Sequence, residues 1–309
     1  MKELFMSQEN ESKIVITGAS GFLGNNLIKA LKVEGKYSIH AFSSHGDELQ
    51  SRNKDKYIQY HHKKIIFSGI GKDILKDAII INCAFPRNST GVGLADGLKY
   101  IQEVFLRSRQ AHARAVINIS SQSVYSQKRE EIATEVTPVC LESPYAVGKY
   151  STELMLDSVC QETDVLYTNL RMASLIGPGF DQRIVNRFVK QALQKTPIQV
   201  VRSKQLFGFL DIEDAVNALI SLIETPIETW KTTYTVGNGK GYSIEEIAES
   251  VEKVFKKNDI PFMNISTETG DGVGNTGVSY RLLHEDTGFA PTLDLKDSIQ
   301  KILIHMREQ

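Results

Sequence analysis

The chain has 309 residues, with 36 Lys plus Arg against 37 Asp plus Glu and a formal net charge of -1. At about 150 residues per domain this length predicts two domains or one large α/β unit. Hydrophobic residues at 41% and charged residues at 24% exclude a disordered chain, and the balanced charge argues against a nucleic-acid binder, which carries a clustered basic excess.

Lys13 to Thr17 is a β-branched run that stops in glycines, and from Phe22 to Val33 the apolar residues recur with a helical period. Tyr37 to Phe42 reads as a second strand. Ala78 to Cys83 is a near-continuous apolar run, as expected for a strand covered on both faces. A helix over Leu94 to Ala111, a strand over Ala115 to Ile119, a helix over Ser143 to Cys160 and a strand over Val165 to Leu170 follow. This alternation predicts an α/β fold of the Rossmann type, a doubly wound parallel sheet. After about Arg171 the rhythm loosens into helices at Ile184 to Gln194, Asp214 to Ile223 and Ser243 to Phe255, with a short strand at Thr233 to Val236. Thr267 to Gly277 is rich in Gly and Thr and reads as a loop. The expected division is a dinucleotide-binding domain over 1–172, with 205–237 packing back onto it, and a smaller C-terminal α/β substrate-binding part over 173–309.

The cysteines Cys83, Cys140 and Cys160 lie far apart with no CxxC pair or His/Cys ligand spacing. That fits a reducing compartment and leads to the expectation of no metal. The longest apolar stretch, broken by Asn82, falls far short of the ~20 residues that span a bilayer. The N-terminal segment MKELFMSQENESK lacks the apolar core of a signal peptide. A cytoplasmic protein with no membrane or nucleic-acid partner is expected. The seven histidines show no triad or ligand pattern and read as surface residues.

Thr17-Gly18-Ala19-Ser20-Gly21-Phe22-Leu23-Gly24 follows the first strand and opens the first helix. Glycines there permit a tight turn, close approach of a phosphate and close helix–strand packing, and the helix N-terminus favours a pyrophosphate. The Gly-x-x-Gly-x-x-Gly spacing resembles the short-chain dehydrogenase/reductase superfamily, and TGASGFLG is similar to its extended branch, the NAD-dependent epimerase/dehydratase family of nucleotide-sugar-modifying enzymes. The resemblance demands a Ser or Thr after the fifth strand-like segment and a Tyr-x-x-x-Lys soon after. Both are present: Ser120-Ser121-Gln122-Ser123-Val124-Tyr125, then Tyr145-Ala146-Val147-Gly148-Lys149.

Tyr145 and Lys149, four apart, share one helix face, and Ser143 with Pro144 suits a helix start. Free tyrosine, with pKa ~10, is a poor base at neutral pH; an adjacent ammonium favours its phenolate. By alignment on Val124-Tyr125, the resemblance assigns the catalytic set to Ser121, Tyr145 and Lys149, with Ser123 the alternative serine. It implies a cofactor site of Gly18, Ser20, Gly21, Phe22, Leu23, Gly24, Ser43, Ser44, Ala84, Tyr145 and Lys149. Sugar dehydratases of the family carry Thr-Asp-Glu where this chain has Ser121, Gln122 and Ser123, so 4,6-dehydration is disfavoured and epimerisation or 4-keto reduction remains.

An acid at the end of the second strand selects NAD by binding the ribose 2′-hydroxyl. Here Ser43 and Ser44 stand at that point, with Arg52 or Lys54 in reach, so NADP is favoured over NAD. The resemblance implies a nucleotide-sugar substrate, but Phe207 replaces a phosphate-binding arginine, and Thr269-Gly270-Asp271 lacks another. Arg87, Ser123, Arg183, Arg202 and Arg281 are the substrate-binding candidates, Arg187 sharing a helix face with Arg183. The reading is an NAD(P)-dependent epimerase or reductase, with a homodimer as the assembly that the resemblance implies; the alternatives are a non-catalytic dinucleotide sensor or scaffold, or a reductase of a non-nucleotide carbonyl.

Overall fold

The computed structural model describes residues 12–86 and 91–309. Arg87 lies outside the described residues. The first elements are β1 (Ser12–Thr17), α1 (Phe22–Glu34), β2 (Tyr37–Ser43), α2 (Gly46–Arg52), β3 (Ile58–His62), α3 (Gly69–Leu75), β4 (Ile79–Asn82), α4 (Val92–Gln110) and β5 (Ala115–Ser121). Then come α5 (Pro144–Cys160), β6 (Leu166–Met172), β7 (Ser174–Ile176), α6 (Ile184–Leu193), β8 (Ile198–Leu206), β9 (Phe209–Asp211) and α7 (Ile212–Glu224). The chain finishes with β10 (Thr233–Val236), α8 (Ile244–Lys257), β11 (Ile265–Asn275), α9 (Arg281–Thr287) and α10 (Leu295–Glu308). A seven-stranded sheet has the order β10-β6-β5-β4-β1-β2-β3, the α/β arrangement that the alternation of elements predicts.

Two compact units divide the described residues, one of 12–86, 91–118 and 155–167 and the other of 119–154 and 168–309. In the first, the parallel strands are apolar on both faces: Ile14, Val15, Ile16 and Ile79, Ile80, Ile81 are all buried. Val15, Ile80 and Val116 form one core with Ile101, Val104 and Phe105 of α4 and Leu156 and Val159 of α5. The second unit has its own core, in which Val185, Phe188 and Val189 of α6 meet Ile247, Val251 and Phe255 of α8 and Ile299, Ile302 and Leu303 of α10.

The segment Thr267 to Gly277 is mostly strand rather than loop. It pairs in parallel with β8 from Ile265↔Ile198 to Asn275↔Leu206, with a register shift between Thr269 and Val273. One of its glycines serves close approach of backbones: Gly274 has φ +142, and a Cβ there would stand 2.0 Å from the Gln127 carbonyl oxygen. Pairing with β8 overrides a turn-like composition, because a residue with no side chain fits where two backbones run close.

Two of the histidines are not simple surface residues. His40 on β2 and His61 on β3 are half-buried, their rings stacked with centroids 5.2 Å apart, and Nδ1 of His40 lies 3.0 Å from Nε2 of His61. Burial, then the charges of His61 and Lys13, lowers the His40 pKa to about 4.

A buried ion pair organises the second unit. Arg171 of β6 and Glu153 of α5 have side chains only 9% and 5% exposed. Arg171 Nε donates to both carboxylate oxygens at 3.1 Å and Nη2 donates to Oε2 at 2.7 Å. Nη1 donates to the Tyr125 hydroxyl at 3.0 Å, and the Ser120 hydroxyl donates to Glu153 Oε1. Burial opposes the charge on Arg171, yet Glu153 outweighs it and holds the guanidinium pKa above its ordinary value.

Arg171→Met leaves a carboxylate buried without its counter-charge and costs about 3–5 kcal/mol in urea unfolding; Arg171→Met with Glu153→Met recovers most of that loss. The histidine stack sets a pH dependence. Between pH about 4 and 6.5 the unfolded chain takes up a proton at His40 that the folded chain refuses, so stability falls as the pH drops through that window. Allowing for partial solvent screening, the loss from pH 7 to pH 5 is on the order of 1 kcal/mol. His40→Gln flattens this part of the denaturation profile.

Candidate active site and cofactor pocket

The glycine loop is built as a cradle. Gly18 has φ +69, and a Cβ there would stand 2.7 Å from the Ala84 backbone nitrogen, so only glycine permits both the turn and the approach to the loop after β4. A Cβ on Gly24 would stand 2.5 Å from the Gly18 carbonyl, which seats α1 close on the loop. Gly21 is the N-cap of α1 and brings no side chain to occupy that end. The N-terminal turn of a helix leaves backbone N–H groups without intrahelical acceptors and favours an anion. Leu23 is buried and Phe22 half-buried, so both contribute backbone and packing, while Ser20 is exposed and its hydroxyl accepts from Ser43 at 2.9 Å.

Beside this loop opens a cavity of about 440 Å³, lined by Gly18, Ser20, Gly21, Ser43, Ser44, Ala84 and others including Lys63, Asp96 and Tyr100. Its size suits a nucleotide. It gathers the expected loop and strand-end residues, all from the first unit. Thr17, at the end of β1, donates from its hydroxyl to Asn82 Oδ1 at 2.7 Å, and Asn82 Nδ2 donates to Asn118 Oδ1 at 3.0 Å. This buried polar ladder ties the ends of β1, β4 and β5 together. Cavity size, the cradle and the loop hydroxyl together fit a dinucleotide.

Ser43 occupies the position of the selecting acid but is turned inward. It is 3% exposed, its hydroxyl donates to Ser20 Oγ at 2.9 Å and accepts from the His45 backbone N–H at 3.1 Å. Ser44 stays exposed. Arg52 pairs with Glu48 at 2.7 Å, and Arg52 and Lys54 line a different depression with Asp55 and Tyr60. They do not line the cavity. Lys63 does; the strand before it, IQYHH, alternates too weakly for the sequence to point to this residue.

In the second unit, α5 starts at Pro144, and the Ser143 hydroxyl accepts from the Ala146 N–H at 3.1 Å. Tyr145 is half-buried and Lys149 buried. Lys149 Nζ lies 6.0 Å from the centroid of the Tyr145 ring and donates to the Ile119 carbonyl at 2.7 Å. That bond pins the lysine to the end of β5, two residues before Ser121. The Ser121 hydroxyl accepts from the Ser123 N–H at 3.2 Å, which shapes the turn, and Ser123 Oγ is buried with no hydrogen-bond partner. Gln122 is buried and faces Gln127, so this segment carries no acid.

The arginine candidates scatter. Arg183 is the N-cap of α6 and sits over Phe180, 5.6 Å from its ring. Arg187 and Arg281 are exposed. Arg202, on β8, is held by Glu245 at 2.5 Å. Phe207, at the position of the missing arginine, bridges to Tyr242 by backbone hydrogen bonds of 2.8 and 2.9 Å. Asp211 caps α7 through the Glu213 N–H at 2.9 Å, and Asp214 accepts from Thr292 and Leu293 at 3.0 Å. Both aspartates are structural.

Among the described residues no group of three or more His, Cys, Asp or Glu side chains is arranged to hold a metal ion, and no helix is long and apolar enough to cross a membrane.

Comparison with known proteins shows the family and the fold. The chain is 23% identical over 317 aligned residues to a protein described as the uncharacterized UDP-glucose epimerase YtcB of Bacillus subtilis, covering 95% of this chain and 98% of that one. In fold it resembles the Bacillus cereus UDP-glucuronic acid 4-epimerase solved with UDP-glucuronic acid and NAD, with a TM-score of 0.79, 20% identity and coverage of 96% and 99%. It also resembles TunA, an NAD-dependent NDP-hexosamine 5,6-dehydratase, with a TM-score of 0.78, 17% identity and coverage of 96% and 98%. The model of the NAD dependent epimerase/dehydratase family matches residues 14–237, and the chain belongs to that family.

Proposed function

We propose that this protein is an NAD(P)-dependent oxidoreductase of the sugar epimerase or 4-keto-reductase type, acting on a nucleotide sugar and favouring NADP(H). The observation that carries the reading is the Tyr145–Lys149 pair, with the ammonium fastened to the Ile119 carbonyl beside Ser121. When bound, the nicotinamide supplies the hydride acceptor or donor. Tyr145 moves the substrate proton, because its phenol oxygen is the group whose charge the Lys149 ammonium stabilises. Ser121 orients the reacting oxygen by a hydrogen bond, and its own acceptor role toward Ser123 N–H leaves the hydroxyl hydrogen to donate. The Thr17–Asn82–Asn118 ladder holds the strand ends that carry the cofactor loops.

Residues 1–172 form the nucleotide-binding part in this reading, with 205–237 returning to it, and 173–309 shape the substrate pocket. The nucleotide-sugar assignment is supported by relatives described as acting on UDP-sugars. The absence of an acid at Gln122 and Ser123 favours epimerisation or reduction over 4,6-dehydration. A reductase of a non-nucleotide carbonyl is the second reading, favoured by one observation: Phe207 stands where the resemblance places a phosphate-binding arginine. A homodimer is supported by Val147 and Leu154, seven apart and exposed on one face of α5.

Tyr145→Phe lowers turnover of a nucleotide-sugar substrate by at least about a hundredfold while leaving cofactor affinity nearly intact. Wild-type activity in that variant overturns the assignment. With wild-type enzyme, substrate conversion without a net absorbance change at 340 nm identifies an epimerase, and stoichiometric loss of that absorbance identifies a reductase.

A further inference from the structure

The edge of the cofactor cavity at the end of β2 lacks the carboxylate that would repel a 2′-phosphate, and Ser43 is occupied by Ser20 and His45. What recognises the phosphate must come from elsewhere. β2 and β3 are parallel neighbours with Ser43 opposite His62. The next residue of the β3 segment, Lys63, therefore leaves the sheet beside Ser44. Lys63 is exposed, lines the cavity, and its Nζ stands 5.6 Å from the Tyr100 ring centroid.

Among the described residues lining the cavity, Lys63 is the one cation and Asp96 the one carboxylate. No carboxylate of a described residue lies within ion-pair distance of Lys63. A lone ammonium, braced over an aromatic ring and next to an exposed hydroxyl, suits a phosphate dianion.

We propose that Lys63 is the residue that discriminates NADP(H) from NAD(H), its ammonium pairing with the 2′-phosphate while the Ser44 hydroxyl donates a second hydrogen bond. This rests on the NADP(H) reading above. It replaces Arg52 and Lys54, which lie away from the cavity.

The test is a fluorescence titration of NADPH and NADH against wild type, Lys63→Gln and Lys63→Arg, with thermal unfolding of each as a control for folding. Wild type is expected to bind NADPH at least about tenfold more tightly than NADH, as one charge-assisted contact allows. Lys63→Gln is expected to lose that preference through weaker NADPH binding alone, and Lys63→Arg to keep it. Rising salt should weaken wild-type NADPH binding more than NADH binding.

If wild type prefers NADH, the cofactor reading fails and this inference with it. If wild type prefers NADPH and Lys63→Gln keeps the preference, the role of Lys63 alone is overturned. Equal weakening of both cofactors in Lys63→Gln also overturns it, since the lysine then touches what the two share.

Discussion

The carboxylate of Glu153 lies out of water, and a charge in that position is tolerated only if neighbouring groups replace its hydration. Two segments of the chain do so directly, and a third supports the arginine. β6 supplies the Arg171 fork, β5 supplies the Ser120 hydroxyl, and the segment after β5 supplies Tyr125 to complete the arginine's donors. One helical turn earlier, Lys149 donates to Ile119, so α5 is fastened to β5 at two successive residues of the strand. Ser121 and Tyr145 stand at the ends of the two elements so joined. The geometry of the candidate active site is thus a consequence of satisfying one buried charge. Glu153 has its own partners in Arg171 and Ser120, and Lys149 is fastened separately, to Ile119.

In the first unit the controlling constraint is steric rather than electrostatic. Gly18 allows the loop after β4 to come within contact of the loop after β1, and Gly24 allows α1 to sit on that turn. The cavity that results is lined by backbone and small polar groups, so what it recognises depends on the few longer side chains that reach it. Ser43 spends its hydroxyl on internal bonds. In our proposal the choice of cofactor then passes from β2 to Lys63, which follows β3 and lines the cavity.

Much of this was legible beforehand. Local spacing carries the glycine loop, the Tyr145–Lys149 face and the helix start at Ser143-Pro144, because each is a pattern over a few residues with a direct geometric meaning. Continuous apolar runs such as Ile79–Ile81 mark central parallel strands for a similar reason. The glycine-rich β11 was not legible: its strand character comes from pairing with β8, distant in the chain. The stacked His40 and His61 were hidden in the same way, since they meet only when β2 and β3 pair.

Short-range chemistry written along the chain therefore specifies the fold class, the cofactor loop and the residue types available for proton transfer. The folded structure decides which of those groups remain available. It turns Ser43 inward, commits Arg202 to Glu245, removes Arg52 to another surface and brings Lys63 to the cavity. The physical reason is that a side chain's hydrogen bonds and ion pairs are settled by neighbours from other strands and helices, and those neighbours are not adjacent in the sequence.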